Sequence, residues 1–371
     1  MCIRDRDGPG LIGLRDLVIS KYSSGGVYQW TRHLGLASNS AYGMDVTVDS
    51  AGNVYVVGYA YGAIDPVNYQ GGSDGLVVKY DSSGTQQWVK QFGGTSTDNG
   101  YGIAVDNVGN IYVTGYSYSA ANLYDIIIAK YDAATGNQTW LKQFGTAAGY
   151  EYGYDIAVDS TGNVYVTGSV DKSLEGQTHF GSYDIYLMKL ASTYDPATDS
   201  PEWVKQIGTT SSESGYSIVV DAADNIFIAG YSAGDLVGPG TTSPYGSYDL
   251  FVANYDTAGN QQWIRQYGSS STDYVYSINT DNAGVLYIAG YTYGDIDGAG
   301  PGELIGGSDA YVVGYDTAGN LLWSKQAGTA LNDYFRGVAV NNSGFVSAVG
   351  YTQGDWDGTN LGNTDIIITM G

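Results

Sequence analysis

Apolar and polar residues alternate along this chain in short bursts, each bounded by glycine, asparagine or aspartate. Between residues 153 and 207 the bursts fall at Gly153–Asp159 (GYDIAVD), Asn163–Gly168 (NVYVTG), Asp184–Leu190 (DIYLMKL) and Glu202–Ile207 (EWVKQI). A period near two, with many Val, Ile, Tyr and Thr, predicts strands, because β-branched and aromatic side chains pack well on a half-buried pleated surface. The intervening VDSTGN, YDTAGN and YDSSG segments predict tight turns. In these, Asp bonds its own backbone and Gly or Asn supplies a positive φ. No segment shows the apolar spacing of an amphipathic helix.

The four-burst pattern recurs. Trp30, Trp88, Trp140, Trp203, Trp263 and Trp323 mark it at spacings of 52 to 63 residues. A unit repeated at this period buries its apolar face only by stacking on its neighbours. Four antiparallel strands per unit predict an all-β fold, a β-propeller of four-stranded blades. The units run from Asp16 to Gly371, so residues 7–371 read as a single propeller domain.

Counting units gives seven blade positions, the first and last incomplete. Asp7–Asp16 (DGPGLIGLRD) parallels the later loop Gly300–Asp309 (GPGELIGGSD), which precedes a third strand, while Asp365–Met370 (DIIITM) is a third strand with no fourth after it. A six-bladed closed ring is the alternative, with Asp16–Leu34 pairing beside Gly344–Tyr351. Residues 1–6 (MCIRDR) resemble a translated sequencing adapter, a non-native leader, and the chain reads as a fragment of a longer protein from a metagenomic source.

Composition adds limits. With Cys2 as the only cysteine there is no disulfide framework, and no apolar run is long enough for a membrane-spanning helix. Net charge is −23, from 15 Lys and Arg against 38 Asp and Glu. Such a surface repels phosphate backbones, which argues against nucleic acid and anionic membranes. Many of the cations fall on predicted outer strands: Arg32, Lys90, Lys142, Lys205, Arg265 and Lys325 follow the repeat Trp, and Lys21, Lys79, Lys130 and Lys189 share a third-strand position. Lys on an exposed strand edge discourages edge-to-edge pairing, so a monomer is expected.

The carboxylates gather in loops. A carboxylate or amide stands three residues before an aromatic at the start of each first strand: Asn39/Tyr42, Asp98/Tyr101, Glu151/Tyr154, Glu213/Tyr216 and Asp273/Tyr276, then Asp333 with Arg336 in the aromatic position. If first strands line a central channel, this series rings its mouth and forms a ligand-binding face with Arg336 and Trp356. Alternatively, the carboxylates cap the strand starts by accepting backbone N–H groups. Asp295 and Asp297 in GDIDG, and Asp355 and Asp357 in GDWDG, place two hard oxygen ligands beside a glycine, as Ca²⁺ requires, or are polar turn residues. Asp16, Asp74, Asp125, Asp184, Asp249, Asp309 and Asp365 open every third strand and read as structural. Departures from the repeat are Arg336, Lys172, His179 and Trp356.

Catalytic motifs are thin. GYSAG (Gly230–Gly234) fits a nucleophile-elbow string, but that turn must lead from a strand into a helix, and here it leads into a loop. GAGPG (Gly298–Gly302) lacks the helix that would cradle a phosphate. His33 and His179 are the only histidines and lie far apart in sequence, which leaves no basis for a zinc site or a histidine triad. Paired carboxylates acting on a glycosidic bond stay open.

VDSAGNVYVVG (Val48–Gly58), VDNVGNIYVTG (Val105–Gly115), VDSTGNVYVTG (Val158–Gly168) and VDAADNIFIAG (Val220–Gly230) resemble the core of the SBBP-type bacterial β-propeller repeat, whereas VNNSGFVSAVG (Val340–Gly350) departs from it. The resemblance implies secreted or cell-surface bacterial proteins, often multidomain, with no assigned reaction. YDAATGNQTW (Tyr131–Trp140) resembles the tryptophan-docking motif of propellers that hold pyrroloquinoline quinone, where the motif is itself structural; no cofactor-binding set accompanies it, and none is expected. Two functions follow as expectations. One is a non-catalytic extracellular or surface scaffold, with Tyr59, Tyr116, Tyr231, Tyr291 and Tyr351 either offering flat faces to a glycan or protein partner or packing between blades. The other is a polysaccharide-acting hydrolase or lyase using loop carboxylates.

Overall fold

The computed structural model describes residues 2–5, 12–23, 26–238, 245–281, 283–298, 306–341, 344–356 and 365–370. These residues hold strands and turns and no helix. Four consecutive strands hydrogen-bond in chain order, each antiparallel to the next. One such sheet is Ala41–Val48, Val54–Tyr61, Ser73–Tyr80 and Gln86–Phe92. The arrangement returns in Asp98–Phe144, Glu213–Tyr267 and Asp273–Ala327. Gly149–Val158, Val164–Val170, Asp184–Leu190 and Trp203–Ile207 follow the same order. Asp333–Val340, Val346–Thr352 and Asp365–Met370 form a three-stranded sheet. At the other end of the chain, Asp16–Tyr22 pairs with Tyr28–Leu34 and with Cys2–Asp5, so Val18 stands opposite His33 and Ile3. The protein is an all-β chain of the β-propeller class.

Packing divides the chain into two compact units, Met1–Val166 with Val170–Gly176 and Met188–Trp203, and Thr167–Ser169 with Gln177–Leu187 and Val204–Gly371. In the first unit, Val54 and Val56 join Leu17, Ile19, Leu76 and Val78 in one cluster, while Tyr55 and Val57 join Ile103, Ile111 and Val113 in another. In the second, Leu286 and Ile288 pack with Phe227 and Leu250, and Tyr287 and Ala289 with Phe335 and Val338. A second strand is thus buried on both faces. Alternation therefore gives way there to continuous apolar runs such as NVYV. Each fully buried Val, Leu or Ile side chain contributes about 1.5–3 kcal/mol by leaving water.

Two devices recur within each unit, and the first joins neighbouring repeats. The indole N–H groups of Trp30 and Trp88 donate to the carbonyls of Ser82 and Ala133 at 3.3 and 3.2 Å, in the turn of the next repeat. The turn glycine lies against the ring: a Cβ on Gly84 or Gly136 would approach the indole to 2.8 or 2.6 Å. The basic residue after the tryptophan completes the clasp. Arg32 Nε donates to Gly84 O at 2.6 Å, and Lys142 Nζ to Pro196 O at 3.0 Å. These cations hold the next repeat, a role beyond shielding a strand edge.

The second device is a β-bulge in each first strand whose register is resolved. Pairing skips one residue, leaving Met44, Tyr101, Tyr216, Tyr276 and Arg336 as the extra residues. The glycine closing the VTG-type motif makes room for it. A Cβ on Gly115, Gly230 or Gly290 would lie 1.9, 1.9 or 1.8 Å from the carbonyl oxygen of Asn99, Ser214 or Tyr274. Bulges of this kind re-aim a side chain and bend the strand.

Candidate ligand-binding face

The carboxylates expected at a channel mouth are interior. Asp98, Glu151, Glu213, Asp273 and Asp333 have no exposed surface. Four of them accept the amide N–H four residues upstream: Gly94 to Asp98 at 2.7 Å, Thr209 to Glu213 at 2.9 Å, Ser269 to Asp273 at 2.7 Å and Thr329 to Asp333 at 2.6 Å. Glu151 accepts the hydroxyl of Thr146. The capping geometry weighed above is the one adopted. Tight loops rich in Gly, Ser and Thr leave amides without a ladder partner, and a buried carboxylate satisfies them.

Asp16, Asp74, Asp125, Asp184, Asp249 and Asp309, which open third strands, are buried as well, and several serve the loop on their own side. Gln70 N donates to Asp74 at 2.8 Å, Phe180 N to Asp184 at 2.8 Å and Tyr245 N to Asp249 at 2.7 Å. Fourth-strand glutamines add donors, as from Gln206 to Asp184 and Gln326 to Asp309. Four repeat junctions therefore bring two buried carboxylates near each other: Asp74 with Asp98, Asp125 with Glu151, Asp184 with Glu213 and Asp249 with Asp273. Burial, with Asp98 adding repulsion, pushes Asp74 up to about 6. Burial likewise raises Asp273 to about 6 and Glu151 to about 7, with Asp249 and Asp171 respectively adding to the effect. Asp98, Glu213 and Asp249 are raised for the same first reason.

One further pair escaped sequence reasoning. Asp45 follows the first bulge and accepts Val46 N at 2.7 Å and Ile103 N at 3.0 Å, the latter on the next repeat's first strand. Burial and then the charge of Asp155 push it up to about 7. Ser217 and Ser277 hold the equivalent place in the second unit, bonding Ile278 N and Val338 N. A position held by Asp in two repeats and Ser or Gly in the others was the available signal.

What reaches the surface beside the bulges is tyrosine. In the second unit Tyr231 contacts Tyr274 with centroids 4.9 Å apart, Tyr274 contacts Tyr291 at 5.1 Å, Tyr291 contacts Tyr334 at 4.4 Å and Tyr334 contacts Tyr351 at 4.7 Å. Tyr276 stacks on Tyr291 at 5.8 Å, and Tyr293, 41% exposed, leans on the same ring. The first unit builds a similar group from Tyr42 and Tyr59, and another from Tyr101, Tyr116, Tyr124, Tyr152 and Tyr154. All five tyrosines that follow the second-strand glycine take part. Their partners Tyr152, Tyr274 and Tyr334 were missed, although each directly follows the strand-start carboxylate. Arg336 lies in the second group, its guanidinium carbon 3.7 Å from the Tyr276 centroid and one N–H directed at the Tyr351 hydroxyl at 3.3 Å.

The other singled-out residues are dispersed. Asp295 accepts Gly298 N at 2.8 Å, and Asp297 accepts Gln326 N at 3.3 Å. Asp355 is exposed, and Asp357 lies outside the described residues. No group of three or more His, Cys, Asp or Glu is placed to hold a metal ion among the described residues. Trp356 packs edge-on to Phe335 and, with Leu331, Gly354 and Asp355, lines an open cleft of about 610 Å³. His179 stands 3.0 Å from Asp184, and Lys172 donates to the carbonyls of Ala147 and Ala148.

Residues 29–64, 87–124, 139–169, 202–236 and 262–297 each match the SBBP β-propeller repeat. The chain is 26% identical over 385 residues to the regulatory protein FlaEY of Caulobacter vibrioides, covering 92% of this chain and 39% of that protein. It is 26% identical over 421 residues to the uncharacterized WD repeat-containing protein L264 of Acanthamoeba polyphaga mimivirus, covering 84% and 30%. The chain thus spans about two fifths or less of the length of these curated relatives. Similar solved structures include the α-L-arabinofuranosidase Arb93A of Fusarium graminearum, at TM-score 0.49 and 10% identity over 88% of this chain and 92% of that one. The Dos1 propeller matches at TM-score 0.47 and 10% identity over 90% and 72%.

Proposed function

We propose that this SBBP β-propeller repeat protein is a non-catalytic extracellular or cell-surface binding scaffold, monomeric, whose tyrosine-lined surface takes a glycan. The carrying observation is the run of contacting rings from Tyr231 to Tyr351, set beside the strand bulges. Tyrosine gives a broad, stiff, apolar face with a polar tip, which suits the C–H faces and hydroxyls of a sugar. The carboxylates that a hydrolase would need are largely engaged by backbone amides. Surface location follows from the repeat family's resemblance alone. Titration calorimetry with neutral oligosaccharides, on the wild type and on Tyr291→Ala and Tyr334→Ala, tests the proposal. Saturable binding weakened about tenfold or more by either change supports it, and heats identical in all three proteins overturn it.

A polysaccharide-acting hydrolase or lyase is the second reading, and Asp45 is the observation that favours it. A carboxyl pushed up to about 7 beside a second carboxylate is suited to act as a general acid near neutral pH. Reducing-end release from a polysaccharide panel, lost in Asp45→Asn, would establish that activity. A partner protein is the other binding alternative, to be detected as a complex when the intact chain is mixed with surface proteins of its source.

A further inference from the structure

We propose that Arg336 is the carboxylate-recognising group of the tyrosine-lined surface, so that the sugar unit held there is a uronic acid. This rests on the scaffold reading and gives its ligand a chemical class.

Arg336 occupies the bulge position that holds Met44, Tyr101, Tyr216 and Tyr276 in other repeats. Tyrosine recurs at this position and serves the blade, whereas Arg336 is the one cation among these bulge residues and is free to serve a ligand. The side chain is exposed yet fixed. It lies face-on to Tyr276 at 3.7 Å, is 5.6 Å from the Tyr351 centroid, and donates one hydrogen bond to the Tyr351 hydroxyl. Stacking uses the face of a guanidinium and leaves its N–H edge available. Of five N–H groups, one has that protein acceptor.

No carboxylate neutralises it. The ion pairs seen among the described residues, such as His33–Asp16, His179–Asp184 and Lys189–Glu202, do not include Arg336. In a chain with 38 Asp and Glu, an exposed arginine surrounded by tyrosines rather than acids is unusual. The charged or titratable groups that face it are Tyr276, Tyr351 and Tyr291.

The vacant edge fits a planar carboxylate through two parallel N–H···O bonds. Tyr351, which accepts from Arg336, contacts Tyr334, and the exposed Tyr293 leans on Tyr291 in the same run of rings, which offers the C–H face and hydroxyls of the same ligand a surface. A flat ring bearing a carboxylate and hydroxyls is a uronic acid. The chain's net charge of −23 repels polyanions, so the fit is to a uronic acid within an otherwise neutral glycan.

The test uses a disaccharide carrying one glucuronic acid and its carboxyl-reduced, neutral counterpart. Both are titrated into the full chain and into Arg336→Gln and Arg336→Lys, with melting curves confirming that each variant folds. The wild type is expected to prefer the acidic sugar by roughly tenfold to a hundredfold, the worth of a hydrogen bond to a charged group. That preference should vanish in Arg336→Gln, return only partly in Arg336→Lys, and shrink in high salt. Should Arg336→Gln not fold, Arg336→Lys carries the comparison. Equal binding of both sugars by the wild type overturns this inference and leaves the scaffold reading intact. A preference that survives in Arg336→Gln also overturns it. Binding of neither sugar overturns both proposals.

Discussion

The indole N–H of Trp263 donates to the carbonyl of Thr317 at 3.0 Å, joining residues 54 positions apart in the chain. Gly319, in the same turn, has φ +82° and lies flat under the Trp263 ring. Gly319→Ala therefore meets two obstacles, a left-handed backbone and a Cβ 2.8 Å from the indole. We expect a loss of about 2–4 kcal/mol, combining strain with overpacking. Gly344, at φ +79° with nothing within 4 Å of its Cβ position, isolates the first obstacle. Gly344→Ala should cost about 1 kcal/mol. Equal urea midpoints for the two variants would show that the glycine does not serve the tryptophan.

Gly290→Ala probes the bulge. Its backbone carries no positive φ, so the substitution is opposed by packing alone: the new Cβ would sit 1.8 Å from Tyr274 O. Relieving that contact means undoing the bulge that places Tyr276. The expected cost is about 3 kcal/mol or more, since the obstacle is backbone. Near-ultraviolet circular dichroism should lose tyrosine signal as Tyr274, Tyr276 and Tyr291 separate. A variant with unchanged stability and spectrum would refute the steric account.

The strands were legible because each carries its own signal. Asp184–Leu190 runs between the bounds read from the sequence, and Gly149–Val158 starts earlier than expected because Gly149 and Tyr150 pair in parallel with Leu123 and Tyr124 of the preceding repeat. The site was harder to read. Acidic residues in Gly-rich loops look solvated, and only the fold reveals that Asp273 and Asp333 turn inward to unpaired amides. Tyr291 could be read as surface or as packing; it packs, stacking on Tyr276 and meeting Tyr334 edge-on, while the neighbouring Tyr293 is exposed. Asp45 and Asp155 could not be linked from sequence at all, because their proximity depends on how successive first strands lie.

Calcium is tested by removal. The side chains of Asp295 and Asp297 each accept a backbone amide, and Ca²⁺ needs six or more oxygens. We expect melting curves in millimolar Ca²⁺ and in chelator to coincide. A rise that grows with metal concentration, and disappears in Asp295→Asn/Asp297→Asn, would instead place calcium in this loop.

The pH dependence of stability follows from two opposed sets of carboxylates. Asp45 and Glu151 are pushed up to about 7, and Asp74 and Asp273 to about 6, with burial the first cause in each. Between the ordinary carboxylate range and these values the folded chain holds protons that the unfolded chain has released. Their contribution is therefore complete at low pH and is lost as pH rises through 6 to 7. The turn aspartates run the other way. Asp49 and Asp159 are held low against the cost of burial by hydrogen bonds, chiefly from Asn53 and Asn163, and Asp256 is held low by Asn260. What they contribute is present above the ordinary range and lost as pH falls through their lowered values. Stability should therefore rise on acidification from pH 8 to about 5 and fall below about 4. Acidification also relieves the repulsion of a −23 net charge, so the scan belongs in 0.5 M NaCl, where exposed charges are screened and buried ones are not. Asp45→Asn, which fixes that side chain neutral, should flatten the rise between pH 5 and 8 while leaving the acid limb unchanged. A wild-type midpoint that climbs from pH 5 to 8 in high salt would mean that these carboxylates are ionised in the folded protein.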